Sequence, residues 1–123
     1  YHGMAPLVCQ AIVEGLFTPR SYHQSKCYES ALTWAKTEGT ICAPETSHAI
    51  AATIDEAIKA REEGQEKVIL FSYSGHGLMD LTGYDKYMSG QLSDYELPED
   101  ILQQCTKDLE KMPPAPMRKS GRW

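Results

Sequence analysis

This 123-residue chain has no C-x-x-C pair, no H-E-x-x-H pair and no other Cys/His grouping at zinc-binding spacing. Its four cysteines, Cys9, Cys27, Cys42 and Cys105, are too sparse for a disulfide scaffold. They read as free thiols of a reducing cytoplasm. Basic residues are also in short supply, since 12 Lys+Arg against 17 Asp+Glu leave a net charge of -5. That balance argues against a nucleic-acid partner, which would need clustered Lys and Arg for phosphate contacts. The one basic cluster, Arg118-Lys119-Ser-Gly-Arg122, lies at the extreme tail. No apolar run approaches the roughly 20 residues of a membrane span, and no signal-peptide pattern opens the chain, so no membrane partner is expected. A starting methionine is missing too: Tyr1 stands first, and the expectation is a chain that begins part-way through something longer or has been trimmed.

What is present suits a packed α/β protein. Hydrophobic residues make up 41% and charged residues 24%, a balance that permits a core and disfavours disorder. Residues 4–14 place Leu7, Val8, Ala11 and Ile12 at helical spacing before Gly15. Residues 16–22 read as a short extended segment, with Pro19 confining it to a sheet edge. A second helix is predicted over Ser25–Lys36, with Tyr28, Ala31, Leu32 and Ala35 on one face and Gly39 as its stop. A brief strand, Thr40–Ala43, precedes Pro44. A third helix over Thr46–Glu63 carries Ile50, Ile54, Ala57 and Ile58 as its stripe. Lys67–Tyr73, with four consecutive apolar residues, reads as a strand buried on both faces of a parallel sheet. Helices around Leu81–Met88 and over 98–111 follow, the latter with Ile101, Leu102, Cys105 and Leu109 on one side as core. The alternation predicts an α/β fold with a parallel sheet. Only about three strands can be found, so the chain reads as the back end of a larger doubly wound domain, with a loose tail after it.

Two turns could carry chemistry. Ser74-Gly75-His76-Gly77 follows the apolar strand, where open α/β sheets place their ligands, and its glycines let backbone amides approach a bound group. It could equally be a plain strand-to-helix turn. Glu45-Thr46-Ser47-His48 opens the third helix. There a carboxylate is either a capping acid favoured by the helix dipole or a group facing the same ligand as Ser74. A G-x-S-x-G nucleophile elbow is not satisfied, because Ser72 stands at the first glycine position. Phe71–Gly77 also resembles the histidine-bearing strand end of caspase-like cysteine peptidases, with His76 as the histidine. The only downstream thiol, however, is Cys105 on an amphipathic helix.

Three segments together resemble one family more closely: Tyr1-His-Gly-Met-Ala-Pro6, Glu38-Gly-Thr-Ile-Cys-Ala-Pro-Glu-Thr-Ser-His-Ala-Ile50 and Val68-Ile-Leu-Phe-Ser-Tyr-Ser-Gly-His-Gly77. They are similar, in order and spacing, to the C-terminal third of tryptophan synthase β chains. The nearer subgroup carries S-G-H-G where the usual β chain has S-G-R-G. Tyr84–Gly90 and the acidic final helix fit the same subgroup. The resemblance covers residues 1–112 as the C-terminal portion of the enzyme domain, with 113–123 as a tail.

The resemblance implies a three-layer, mainly parallel sheet domain of the fold-type II pyridoxal-phosphate family. It implies a lyase of tryptophan biosynthesis that joins L-serine, or O-phosphoserine, to indole. Ser74 would hydrogen-bond the pyridine nitrogen of pyridoxal 5'-phosphate, with Glu45 and Gly75 beside the ring. A neutral hydroxyl does not force that nitrogen to protonate as an aspartate would, which favours β-replacement over transamination. Backbone carbonyls of Tyr1 and Gly3 would take a monovalent cation. His76 replaces an arginine and receives no role. The family's Schiff-base lysine and phosphate loop are not in these residues, so the fragment alone is expected to be inert. The rest of the β chain, a homodimeric mate and an α chain are the implied partners, and the cytoplasm the implied location. A threonine synthase-like enzyme of the same fold type and a non-catalytic α/β interaction domain are the other readings.

Overall fold

A computed structural model describes residues 4–113. Five helices form among the described residues, and local chemistry marks an end of three of them. Pro6, with its missing N–H and fixed φ, occupies the first turn of α1 (Pro6–Val13). Helix α2 (Gln24–Glu38) ends at Gly39, which takes φ 73° and returns its N–H to the Ala35 carbonyl at 3.1 Å. Only glycine adopts that left-handed cap without steric cost. Helix α3 spans Thr46–Glu62, α4 spans Leu81–Met88, and α5 spans Glu99–Glu110 directly after Pro98.

The core is built where α2 packs on α3 and on α4. Small residues allow this approach: Cys27, Ser30 and Ala31 of α2 and Ser47 and Ala51 of α3 are all buried. Buried Ser30 is satisfied inside its own helix, its hydroxyl donating to the Lys26 carbonyl at 2.9 Å. Ala31, Cys42, Ile50 and Tyr84 form the centre, ringed by Tyr28, Leu32, Trp34, Ile54 and Phe71. Aromatic pairs close its two sides. Tyr28 meets Tyr84 edge-on at 5.1 Å, and Trp34 meets Phe71 edge-on at 5.4 Å. The Trp34 indole N–H donates to Thr40 Oγ1 at 3.0 Å, so burying the ring leaves no donor unpaired.

The sheet expected from the sequence is not found among the described residues. Residues 16–22 and 67–73 run without ladder partners, and Thr40–Ala43 contributes a single antiparallel bridge between Cys42 and His76. A strand requires a second backbone for its amides and carbonyls, whereas a helix satisfies its own. The run predicted to be buried on both faces is instead largely open, with Val68 100% and Leu70 96% exposed. The third-helix stripe is graded in the same way: Ile50 is buried, Ile54 half-buried and Ile58 exposed. Cys105, expected in a core, is exposed along with Ile101, Leu102 and Leu109, because α5 packs on no other helix among the described residues.

The turn at 74–77 and its backing

The two turns singled out from the sequence meet in space. Cys42 and His76 pair as an antiparallel bridge. The Gly77 N–H donates to the Ile41 carbonyl at 2.8 Å, and the Ala43 N–H donates to the Gly75 carbonyl at 3.3 Å. Thr46, in the first turn of α3 and buried, donates its hydroxyl to the Ser74 carbonyl. Its oxygen also lies 3.4 Å from Ser74 Oγ. Ser74 itself is exposed, so its hydroxyl keeps bonding capacity for a further group.

Glycine is required twice in this turn. Gly75 adopts φ 87°, in the left-handed region. Gly77 is buried against residues 41 and 42, and a Cβ there would fall on the Cys42 carbonyl oxygen and the Ile41 side chain. His76 is exposed, and its Nδ1 accepts the Leu78 N–H at 3.3 Å, which fixes the ring over its own loop.

Glu45 precedes α3 in helical conformation and makes no side-chain bond to the helix amides, so it is not a hydrogen-bonding cap. It is exposed and lines an open groove with Arg20, Tyr22, Cys27, Tyr28 and His48. Ser74 and Gly75 do not line that groove. Burial raises the Tyr28 phenol above its ordinary range, and the negative charges of Asp80 and Glu45 act in the same direction. Burial likewise raises the Cys27 thiol, so this cysteine is held as a thiol and not a thiolate. Arg20 is not free to meet an anion in the groove, because its guanidinium is paired with Glu56 of α3.

Tyr1 and Gly3 lie outside the described residues. Among those described, no group of three or more His, Cys, Asp or Glu side chains is placed to hold a metal ion. No helix among them is long and apolar enough to cross a membrane. Thr46, which ties the two turns together, and Tyr84, which stands behind them, were not singled out by the sequence reading. Thr46 lies in the Glu45–His48 turn and Tyr84 in the Tyr84–Gly90 segment, yet neither spacing nor composition marks a hydroxyl as a tie between distant turns.

No family model matches the chain. Individual proteins do. It is 52% identical over 101 residues to the tryptophan synthase β chain of Thermococcus onnurineus, a match covering 82% of this chain and 23% of that protein. It is 52% identical over 101 residues to tryptophan synthase β chain 2 of Pyrococcus furiosus, covering 82% and 22%. Against tryptophan synthase β chain 2 of Aquifex aeolicus it is 54% identical over 94 residues, covering 76% and 22%. The residues in hand therefore correspond to a segment, spanning less than a quarter of the length of these curated relatives. The chain belongs to the tryptophan synthase β chain family.

Proposed function

We propose that this chain forms part of the active site of a pyridoxal-phosphate-dependent tryptophan synthase β chain. That enzyme would replace the hydroxyl of L-serine by indole, giving L-tryptophan and water. The observation that carries this reading is the tie between α3 and the 74–77 turn. Thr46 holds the Ser74 carbonyl while the Ser74 hydroxyl stays exposed, as a fixed partner for a ligand must be.

The donor set fits the ring end of the cofactor. Ser74 offers a neutral hydroxyl, and Gly75 offers a side-chain-free backbone beside it. Bound pyridoxal phosphate supplies the electron sink that lets serine lose its β-hydroxyl. Ser74 would hold the ring nitrogen with a neutral hydroxyl that enforces no proton there. Glu45, uncommitted to the helix amides, presents its carboxylate from the start of α3. The backbone carbonyls of Tyr1 and Gly3 would hold a monovalent cation.

In this reading residues 1–112 are the C-terminal portion of the enzyme domain and 113–123 its tail. Lys67–Tyr73 is a strand of a mainly parallel sheet, and the full exposure of Val68 and Leu70 supports a ladder partner from outside these residues. A homodimeric mate and an α chain are the proposed partners, L-serine or O-phosphoserine the donor, and the cytoplasm the location.

The test is transplantation. The matching segment of a full-length relative is replaced by these residues, and tryptophan formed from serine and indole is measured. Turnover within about tenfold of the parent is expected. A folded chimaera that binds pyridoxal phosphate but makes no tryptophan overturns the reading. In the same background Ser74→Asp is expected to shift the product ratio away from tryptophan, and an unchanged ratio removes the role given to Ser74.

A further inference from the structure

Tyr84 is 4% exposed, and its hydroxyl donates to the Cys42 carbonyl oxygen at 2.6 Å. The bonds that join residues 41–43 to the 75–77 turn use the carbonyls of Ile41 and Gly75 and the amides of Gly77 and Ala43. They leave the Cys42 carbonyl, on a residue with no exposed surface, in need of another donor. In a sheet a neighbouring strand would supply it; here a phenol from α4 does. The same oxygen is what a Cβ at residue 77 would strike, so Tyr84 and Gly77 converge on one atom.

We propose that Tyr84 is a positioning residue for the 74–77 turn: its hydroxyl fixes the Cys42 carbonyl, and through the Cys42–His76 bridge it sets where Ser74 stands. For the ring-binding part this rests on the function proposed above. Three further features fit. The Tyr84 ring is braced edge-on by Tyr28 at 5.1 Å. Cys42 Sγ lies 3.4 Å from the same hydroxyl, so both polar ends of Cys42 face it. Burial, reinforced by the bond to Cys42, holds the phenol far above its ordinary range, and the donor proton is therefore always present.

The test uses the full chain and begins without cofactor. Tyr84→Phe keeps the ring and removes the donor. Amide hydrogen exchange at Ala43 and Gly77 is expected to accelerate about tenfold or more while the amides of α3 keep their protection. Tyr87→Phe, which removes a hydroxyl from the same aromatic stack, should leave both amides unchanged. In the full-length chimaera described above, Tyr84→Phe should bind pyridoxal phosphate about tenfold more weakly than the unsubstituted chimaera. Unchanged exchange at Ala43 and Gly77 overturns the proposal, as does faster exchange with undiminished cofactor affinity. An unsubstituted chimaera that folds but binds no pyridoxal phosphate overturns the proposed function instead, and the role of Tyr84 is then decided by the exchange rates alone. Should Tyr84→Phe fail to fold, 3-fluorotyrosine at position 84 keeps the hydroxyl and strengthens it as a donor. Slower exchange at both amides is then expected, and equal rates overturn the proposal.

Discussion

The Thr46 hydroxyl donates to the carbonyl of Ser74, across 28 positions of sequence. The first turn of a helix and the loop after an apolar run are thereby held as one unit. Thr46 is buried and Ser74 exposed, so loss of the hydroxyl removes the bond but leaves the Ser74 carbonyl within reach of water. Thr46→Val preserves shape and removes only the hydroxyl. It is expected to cost about 0.5–1.5 kcal/mol, read as a lower urea midpoint at unchanged slope. A midpoint equal to the parent's would mean that the tie contributes nothing.

Gly77 has no room for a side chain, with the Cys42 carbonyl oxygen standing where a Cβ would go. Gly77→Ala must therefore push residues 41–43 and the turn apart. A loss of about 1–3 kcal/mol is expected, seen as a lowered melting temperature. Gly90→Ala is the useful contrast. Its Cβ would meet open space, leaving only the cost of its left-handed φ of 69°.

Asp94 supplies a cap that α2 lacks locally. Its Oδ1 accepts the Ser25 N–H at 3.0 Å, and its other oxygen accepts the Ser25 hydroxyl. The hydroxyl bond first, and the backbone bond second, hold its carboxyl below the ordinary aspartate range. A group with a depressed folded pKa stabilises fully above its unfolded pKa, and that contribution fades as the pH falls through the folded one. The contribution is thus present above about pH 4 and lost below it. Unfolding of the parent and Asp94→Ala, compared at about pH 6 and about pH 3, should show a stability gap at the higher pH that narrows at the lower. A gap independent of pH would rule out the charged cap.

The cysteines should separate by burial. Cys105 is exposed, Cys9 half-buried, and Cys27 and Cys42 buried, with burial raising the Cys27 thiol as well. In the native 123-residue chain a thiol reagent is expected to label Cys105 first. Cys27 and Cys42 should follow at least about 100-fold more slowly, at a rate set by opening of the fold. Mass spectrometry of the labelled peptides gives the order, and early labelling of Cys42 would contradict the packing around Tyr84.

How far the sequence could be read divides along one physical line. Helices close their hydrogen bonds within four residues, so their positions follow from nearby chemistry. Apolar spacing from Leu7 to Ile12, Gly39 after α2, the stripe from Ile50 on α3 and Pro98 before α5 are enough to place α1, α2, α3 and α5 within a few residues. Exposure did not follow from spacing. The α5 face and the Val68–Leu70 face of Lys67–Tyr73 have the right pattern for burial, but burial needs an opposing surface, and none of the described residues offers them one, whereas Phe71 packs on Trp34. The S-G-H-G turn and the start of α3 were visible as motifs. That Thr46 joins them was not, nor that Tyr84 backs them and Asp94 caps α2 from 69 residues away. These are bonds between residues that the chain separates and only its packing brings within 3 Å or so. Sequence alone determined the helices and, through its motifs, the family; tertiary structure decided which hydroxyls and carbonyls hold the candidate site in place.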